Sequence, residues 1–175
     1  MSNRLGDRRA IWSWALYDWA NSAFATTVIA GFFPLFLKQY WAADLPATTS
    51  TFYLGNTVAL ASLTIMILAP LLGAMADVGG GKKRYLACFM LTGICATAML
   101  ALIGQGGWFW ALGLYWLAVV GFFGANVFYD ALLVDVAPEG RLDRTSALGF
   151  GLGYLGGGLL FAVNVLMTLH PDWFG

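Results

Sequence analysis

The sequence contains the stretch Ala-Leu-Tyr-Asp-Trp-Ala-Asn-Ser-Ala-Phe at residues 15–24. This stretch lies inside a long apolar run, so it places a carboxylate, an amide and a phenol within a predicted membrane helix. A charged side chain at membrane depth costs at least ~2.5–3.5 kcal/mol, and such side chains face a protein interior or a water-filled cavity. We therefore expect another part of the chain to supply a partner for Asp18.

The composition of the whole chain is that of a membrane protein. Hydrophobic residues make up 60% of the chain and charged residues 10%, whereas soluble domains carry about 25% charged residues. The formal net charge is zero, and the basic residues form no stripe that would indicate a nucleic-acid partner. The expected surroundings are a lipid bilayer, and no nucleic acid is expected.

Apolar runs of membrane-spanning length divide the chain into five segments. One crossing takes ~20 apolar residues, and short polar linkers separate the runs. The sequence therefore predicts an all-α polytopic membrane protein, with residues 1–175 forming one membrane domain. The predicted spans cover residues 11–37, 52–76, 85–104, 108–136 and 146–169.

The basic residues predict the orientation of these spans, because cytoplasmic loops are enriched in Lys and Arg. Eight of the nine fall on one side of the predicted spans, and Lys38 falls on the other. We expect a multi-pass protein of the cell (inner) membrane with a cytoplasmic N-terminus. The odd number of spans favours a fragment of a longer protein over a complete five-span protein. The eight residues on the cytoplasmic side are Arg4, Arg8, Arg9, Lys82, Lys83, Arg84, Arg141 and Arg144.

The fourth span carries a near mirror image of the motif in the first. Residues 17–21 read Tyr-Asp-Trp-Ala-Asn, and residues 126–130 read Asn-Val-Phe-Tyr-Asp. The first and fourth spans cross the membrane in opposite directions. Because the motif is reversed and the helices are antiparallel, residues of the same type in the two spans lie at the same depth in the membrane.

A helical rise of 1.5 Å per residue gives the depth of each polar residue from the cytoplasmic edge of the membrane. In the first span Asp18 lies ~10 Å deep and Asn21 ~15 Å deep. In the fourth span Asp130 lies ~9 Å deep and Asn126 ~15 Å deep. In a hydrocarbon core ~30 Å thick, the asparagines lie near the midplane and the aspartates one turn nearer the cytoplasm. One interpretation is a polar pocket between the first and fourth spans. The alternative is that the aspartates reach interfacial water and the asparagines join helices by hydrogen bonds. On the first interpretation the substrate-binding residues are Asn21, Asn126, Tyr17, Tyr129 and Tyr154, and the coupling or gating carboxylates are Asp18 and Asp130.

The linker between the second and third spans carries a motif of its own. Residues 73–84 read Gly-Ala-Met-Ala-Asp-Val-Gly-Gly-Gly-Lys-Lys-Arg. A phosphate-binding loop is excluded for two reasons. Lys83 stands where that motif requires Ser or Thr, and the segment before the linker is a predicted membrane helix and not a strand.

Gly73, Asp77, Gly80 and Lys82 fall where the major facilitator superfamily has its loop motif, and the chain resembles that superfamily. The motifs of the first and fourth spans resemble one branch, the fungal vacuolar amino-acid effluxers and their bacterial relatives. The resemblance implies a secondary transporter of two six-helix halves, of which this chain would supply five helices of the N-terminal half. It also implies that the first and fourth helices are equivalent members of an inverted repeat and line the cavity.

Three glycines recur every four residues along the fifth span and predict a smooth helix-packing surface. Small residues in this pattern let another helix approach closely. The resemblance implies that this helix packs against the other half of the transporter, whereas in an isolated fragment the stripe could join two copies. The three residues are Gly149, Gly153 and Gly157.

The predicted function is secondary active transport of a small polar solute, with an amino acid as the suggested class. The alternative is a non-transporting assembly module or truncated fragment that self-associates through the glycine stripe. The sequence shows no catalytic constellation and no ligands at metal-binding spacing around His170, so we expect no enzyme activity, no metal and no cofactor. The expected partners are the solute, the lipid bilayer, and either a missing C-terminal half or a second copy of the chain.

Overall fold

The computed structural model describes residues 4–78 and 81–174, with side chains described for residues 8–75 and 81–174. Within these residues the chain is helical and contains no strand, which confirms the predicted all-α fold. Two π-helical segments, Phe24–Phe32 and Leu37–Trp41, flank the short helix α2, and 3₁₀ turns cover Leu100–Leu102 and Pro171–Trp173. The α-helices are α1 Arg4–Ala23, α2 Phe33–Phe36, α3 Ala47–Val78, α4 Lys82–Met99, α5 Trp108–Val136 and α6 Leu142–Leu169.

Five helical stretches of the described chain are long and apolar enough to cross a membrane, as predicted. A bilayer leaves each spanning segment to satisfy its own backbone hydrogen bonds, and a helix does so within one segment. The fourth stretch has the predicted bounds, and the chain is a multi-pass membrane protein. The stretches are Arg8–Trp41, Ala47–Met75, Lys82–Leu102, Trp108–Val136 and Leu142–Leu169.

The second stretch begins earlier than predicted, because hydroxyl residues assigned to a linker form the first turn of α3. The Ser50 hydroxyl donates to the Ala47 carbonyl oxygen at 3.1 Å, and the Thr51 hydroxyl donates to the same oxygen at 2.7 Å. Ser50 is also 2% exposed. Hydroxyls that bond back to the preceding turn let polar residues continue a helix.

The first stretch changes its winding directly after the motif of residues 15–24. From Phe24 to Phe32 it is a π-helix, and the Phe33 N–H bonds to the Val28 carbonyl, five residues back. The Thr26 hydroxyl donates to the carbonyl oxygens of Ser22 and Ala23, both at 3.3 Å. These contacts lie at the start of the π-helical segment.

The helices group into two compact units, and the boundaries between the units fall inside α2 and α5. The terminal unit comprises Met1–Phe33 and Leu132–Gly175, and the central unit comprises Pro34–Ala131. A single membrane domain over residues 1–175 stays a prediction.

The core of the central unit forms around Phe128 of α5, which is fully buried. Tyr85 and Phe89 of α4 stack on its ring, with centroid distances of 5.2 and 6.0 Å. Leu72 of α3 completes this cluster. Offset aromatic pairs of this kind contribute ~0.5–1.5 kcal/mol beyond the burial of their area, so these rings hold α3, α4 and α5 together.

A close backbone approach between α4 and α5 depends on Gly121. A Cβ atom built there would lie 2.6 Å from the Gly93 nitrogen and 2.8 Å from the Phe89 carbonyl oxygen. Both atoms belong to the α4 backbone, which cannot rotate away as a side chain does. Hydrogen in place of a side chain is therefore what allows the two helices to touch here.

The Gly121→Ala substitution is expected to lower the unfolding free energy by ~1–3 kcal/mol, because the added methyl group overpacks a backbone contact. The matched control is Gly113→Ala in the same helix, where a Cβ atom meets nothing within 4 Å. That control is expected to be neutral or stabilising, since alanine favours helix over glycine. Thermal unfolding in detergent, followed by circular dichroism, compares the two. Equal melting temperatures would show that α4 and α5 do not approach in this way.

Candidate functional site

Three polar residues on successive turns of the first span form a polar strip, which we define as Asp18, Ser22 and Thr26. The Ser22 hydroxyl donates to Asp18 Oδ1 at 3.2 Å, and the Thr26 hydroxyl donates to the Ser22 carbonyl oxygen at 3.3 Å. Residues four apart in a helix lie on one face. The hydrogen bond to Asp18 therefore comes from its own helix, and the expectation that another part of the chain supplies it was wrong.

The polar strip packs against glycines of α6 within the terminal unit. A Cβ atom at Gly153 would lie 2.5 Å from Asp18 Oδ2 and 2.7 Å from Ser22 Oγ, and one at Gly157 would lie 3.0 Å from Thr26 Cγ2. The Thr26 hydroxyl also lies 3.1 Å from the Gly157 carbonyl oxygen, so its single hydrogen is shared between that oxygen and the carbonyl oxygens of Ser22 and Ala23. The side chains of the polar strip therefore occupy the space that a larger residue at position 153 or 157 would need.

The buried face of α6 is wider than the stripe that the sequence predicts. Gly149, Gly153 and Gly157 are all buried, and so is Gly156. A Cβ atom at Gly156 would overlap the carbonyl oxygen of Trp19. The first span covers this face within the same chain, so self-association through the stripe is not favoured.

A second pair of polar residues lies beside the polar strip on the first span. The Tyr17 hydroxyl donates to Asn21 Oδ1 at 3.5 Å, and both side chains are half-buried. Asn21 and Asp18 are three residues apart and thus ~60° apart around the helix. Each belongs to a different hydrogen-bonded pair, so the motif presents two polar rows, Tyr17 with Asn21 and Asp18 with Ser22.

The polar residues of the fourth span lie on α5 in the central unit. Asn126 is half-buried, Tyr129 is buried and Asp130 is exposed. The Lys82 ammonium group donates to the carbonyl oxygen of Ala131 at 3.1 Å, directly after Asp130 in the chain. The loop-motif lysine is thus bound to α5 beside the mirrored motif. The pocket expected between the two motifs stays a prediction, since they belong to different units.

The remaining predicted residues lie in varied surroundings. Gly73 lies in α3, with nothing within 4 Å of a Cβ atom built on it. The Asp77 side chain and Gly80 lie outside the described residues. Tyr154 on α6 is 81% exposed. In the part of the chain that the structure describes, no three His, Cys, Asp or Glu side chains gather in a way that could hold a metal ion.

Sequence reasoning missed Ser22, Thr26 and Gly156 as parts of this site. The signal for the two hydroxyl residues was available, because they repeat every four residues after Asp18. Gly156 fell outside the four-residue repeat used to find the stripe. It lies on the buried face because one helical face spans neighbouring positions such as 156 and 157.

Comparison with known proteins places these motifs in a family. The family model described as "Vacuole effluxer Atg22 like" matches residues 6–50 and 43–141. An "Uncharacterized MFS-type transporter YxiO" of Bacillus subtilis (strain 168) is 46% identical over 158 residues, covering 90% of this chain and 37% of that protein. An "Uncharacterized protein" of Aquifex aeolicus (strain VF5) is 28% identical over 145 residues, covering 82% of this chain and 35% of that protein. No solved structure matches the chain significantly.

The chain thus spans little more than a third of the length of these curated relatives. The residues matched by the family model include the first-span, loop and fourth-span motifs. The resemblance to the major facilitator superfamily is confirmed. Since the family model covers most of its length, the chain belongs to the vacuole effluxer Atg22-like family of major-facilitator-type proteins.

Proposed function

We propose that this chain is the N-terminal portion of a secondary transporter that moves a small polar solute across a membrane by alternating access. The observation that carries the proposal is the polar strip, which keeps a carboxylate inside a membrane-spanning stretch. Ionisable residues at membrane depth are costly and commonly mark substrate, ion or proton pathways. The name of the Bacillus relative, an MFS-type transporter, supports the same class of function.

The Asp18–Ser22 pair is suited to carrying a proton. A hydroxyl both donates and accepts hydrogen bonds, whereas a carboxylate only accepts and a protonated carboxyl also donates. Ser22 can therefore donate to the ionised form of Asp18 and accept from the protonated form. We assign coupling or gating to Asp18, and to Asp130 as its counterpart in the mirrored motif.

The asparagines are the proposed solute contacts. A primary amide presents both donors and acceptors, which suits a zwitterionic solute such as an amino acid. The Tyr17 hydroxyl donates to Asn21 Oδ1 and so orients the Asn21 amide. Asn126 takes the corresponding role by the sequence mirror, with Tyr129 and Tyr154 as further contacts. The resemblance to vacuolar amino-acid effluxers makes an amino acid the solute class to test first.

The proposed setting follows from the family and from the charge distribution. The whole transporter would have two six-helix halves, and this chain would supply five helices of the first half. The excess of Lys and Arg on one side of the spans supports a cytoplasmic N-terminus, and the proposed location is the cell (inner) membrane. The proposed partners are the C-terminal half, the bilayer and the solute.

Replacing either aspartate by asparagine should abolish coupled transport, because the amide cannot take up and release a proton at physiological pH. The measurement is uptake of a radiolabelled amino-acid mixture into proteoliposomes with an imposed pH gradient, using the full-length protein that contains this chain. Asp18→Asn and Asp130→Asn are expected to reduce uptake to the level of empty liposomes.

The matched control is Asp135→Asn, which removes a carboxylate from the same helix as Asp130, nearer the predicted membrane edge. That control should retain gradient-driven uptake. Unchanged uptake in both Asp18→Asn and Asp130→Asn would refute proton coupling through these residues. Loss of uptake in all three variants would point to folding instead of coupling.

The Ser22 hydroxyl should also be coupled energetically to the Asp18 carboxylate. A hydrogen bond to a charged group contributes ~1.5–3 kcal/mol, and contacting residues show coupling energies of ~0.5–3 kcal/mol in double-mutant cycles. The cycle uses Ser22→Ala, Asp18→Ala and the double variant, with unfolding free energies measured by denaturant titration in mixed micelles. Ser13→Ala, at an exposed position of α1, should show no coupling to Asp18→Ala. Additive effects for Ser22 and Asp18 would contradict the observed bond.

A further inference from the structure

A cavity of about 380 Å³ in the terminal unit gathers arginine side chains from distant parts of the chain. Arg8 comes from the start of the first membrane stretch, Arg141 precedes α6, and Arg144 lies in its first turn. Over a hundred residues of sequence separate Arg8 from the other two. The fold, and not local sequence, brings the three cations to one cavity.

Among the residues whose side chains the structure describes, the cavity lining carries no acidic residue to offset this charge. Glu139 and Asp143 are the acidic residues nearest in sequence to the arginines of α6, and neither lines the cavity. Like charges held together repel one another, so the arrangement favours an anion as the occupant. A guanidinium group presents a planar set of donors that matches the oxygens of a phosphate.

The start of α6 adds to the attraction for an anion. Helix α6 runs for 28 residues from Leu142, and the N-terminal end of a helix carries a partial positive charge and free N–H groups. Thr145 lines the cavity and is 5% exposed. Arginines, helix end and threonine together form a polar half of the cavity.

The other half of the lining is apolar and is supplied by Ile11, Trp12, Pro138 and Leu148. Trp12 is 52% exposed and lies one turn inside the start of a membrane stretch. Tryptophan at this position is typical of the membrane–water interface. A free inorganic anion gains nothing from contact with apolar side chains, whereas an amphiphile with a phosphate group and acyl chains can contact both halves of the cavity.

We propose that this cavity is a binding site for the headgroup phosphate of an anionic phospholipid. The three arginines would hold the phosphate, and the Trp12 side would accept the glycerol and the first acyl carbons. Its position at the ends of two membrane stretches is where headgroups lie, and basic pockets of this kind between helices bind anionic lipids. The proposal does not depend on transport, because none of the proposed solute or coupling residues lines the cavity.

The test is native mass spectrometry of the full chain in neutral detergent, with phosphatidylglycerol or phosphatidylcholine added. Retention of phosphatidylglycerol over phosphatidylcholine is expected. Each of Arg8→Gln, Arg141→Gln and Arg144→Gln should weaken phosphatidylglycerol binding by about fivefold, and the triple variant should lose it. The matched control is Arg9→Gln, which removes an exposed arginine adjacent to Arg8 that does not line the cavity.

The outcomes separate the possible sources of the anion. Equal loss in Arg9→Gln and in the cavity variants would mean diffuse charge attraction and would overturn the proposal. Binding of inorganic phosphate or glycerol 3-phosphate as tightly as the lipid would also overturn it, by identifying a soluble anion as the ligand. Circular dichroism checks the fold of each variant. If the triple variant unfolds, the single variant Arg144→Gln decides, and unchanged lipid retention there contradicts the site.

Discussion

The packing of the terminal unit depends on the Asp18 carboxylate. It fits between the first span and α6 because the residue of α6 that faces it, Gly153, has no side chain. Asp18 and Ser22 occupy the space in front of Gly153, and Thr26 occupies the space in front of Gly157. A larger residue at either glycine would have to displace a polar group from a membrane-spanning helix. The acidic residue and the glycines are thus one feature, although they lie over a hundred residues apart in the chain.

The same contacts lie where the first span stops being a regular α-helix. The Thr26 hydroxyl lies within hydrogen-bonding distance of two carbonyl oxygens of its own helix and of the Gly157 carbonyl oxygen of α6. The π-helical segment begins at Phe24, two residues before Thr26. Wide helical turns of this kind are rare and are often found at functional sites. The polar strip and the change of winding lie next to each other in the first span.

The number and class of the membrane helices could be predicted from the sequence, because a bilayer imposes a length and an apolar composition on each crossing. The start of α3 could not, since Ser50 and Thr51 look like linker residues until their hydroxyls bond back to the helix. Helical spacing also predicts which residues of one helix can pair, as Asp18 and Ser22 do.

The partner of a helix face is set by tertiary packing, which a periodic pattern does not encode. The stripe of Gly149, Gly153 and Gly157 correctly indicated a smooth surface, but it did not identify the first span as what covers it. The arginines show the same limit. Their distribution predicts topology by the positive-inside rule, whereas the meeting of Arg8 with Arg144 at one cavity follows only from the packing of α1 on α6.

The packing of the first span on α6 within one chain is tested most directly by disulfide cross-linking. The pair Thr26→Cys with Gly157→Cys is placed in a chain whose two free cysteines, Cys88 and Cys95, are replaced by alanine. A Cβ atom at residue 157 would lie 3.1 Å from Thr26 Oγ1, and side chains this close can form a disulfide, so oxidation should give a cross-linked species of monomer size. The control pair Thr26→Cys with Gly158→Cys, where a Cβ atom on residue 158 meets nothing within 4 Å, should stay reduced. A dimer-sized product, or equal cross-linking in the two pairs, would contradict the packing described here.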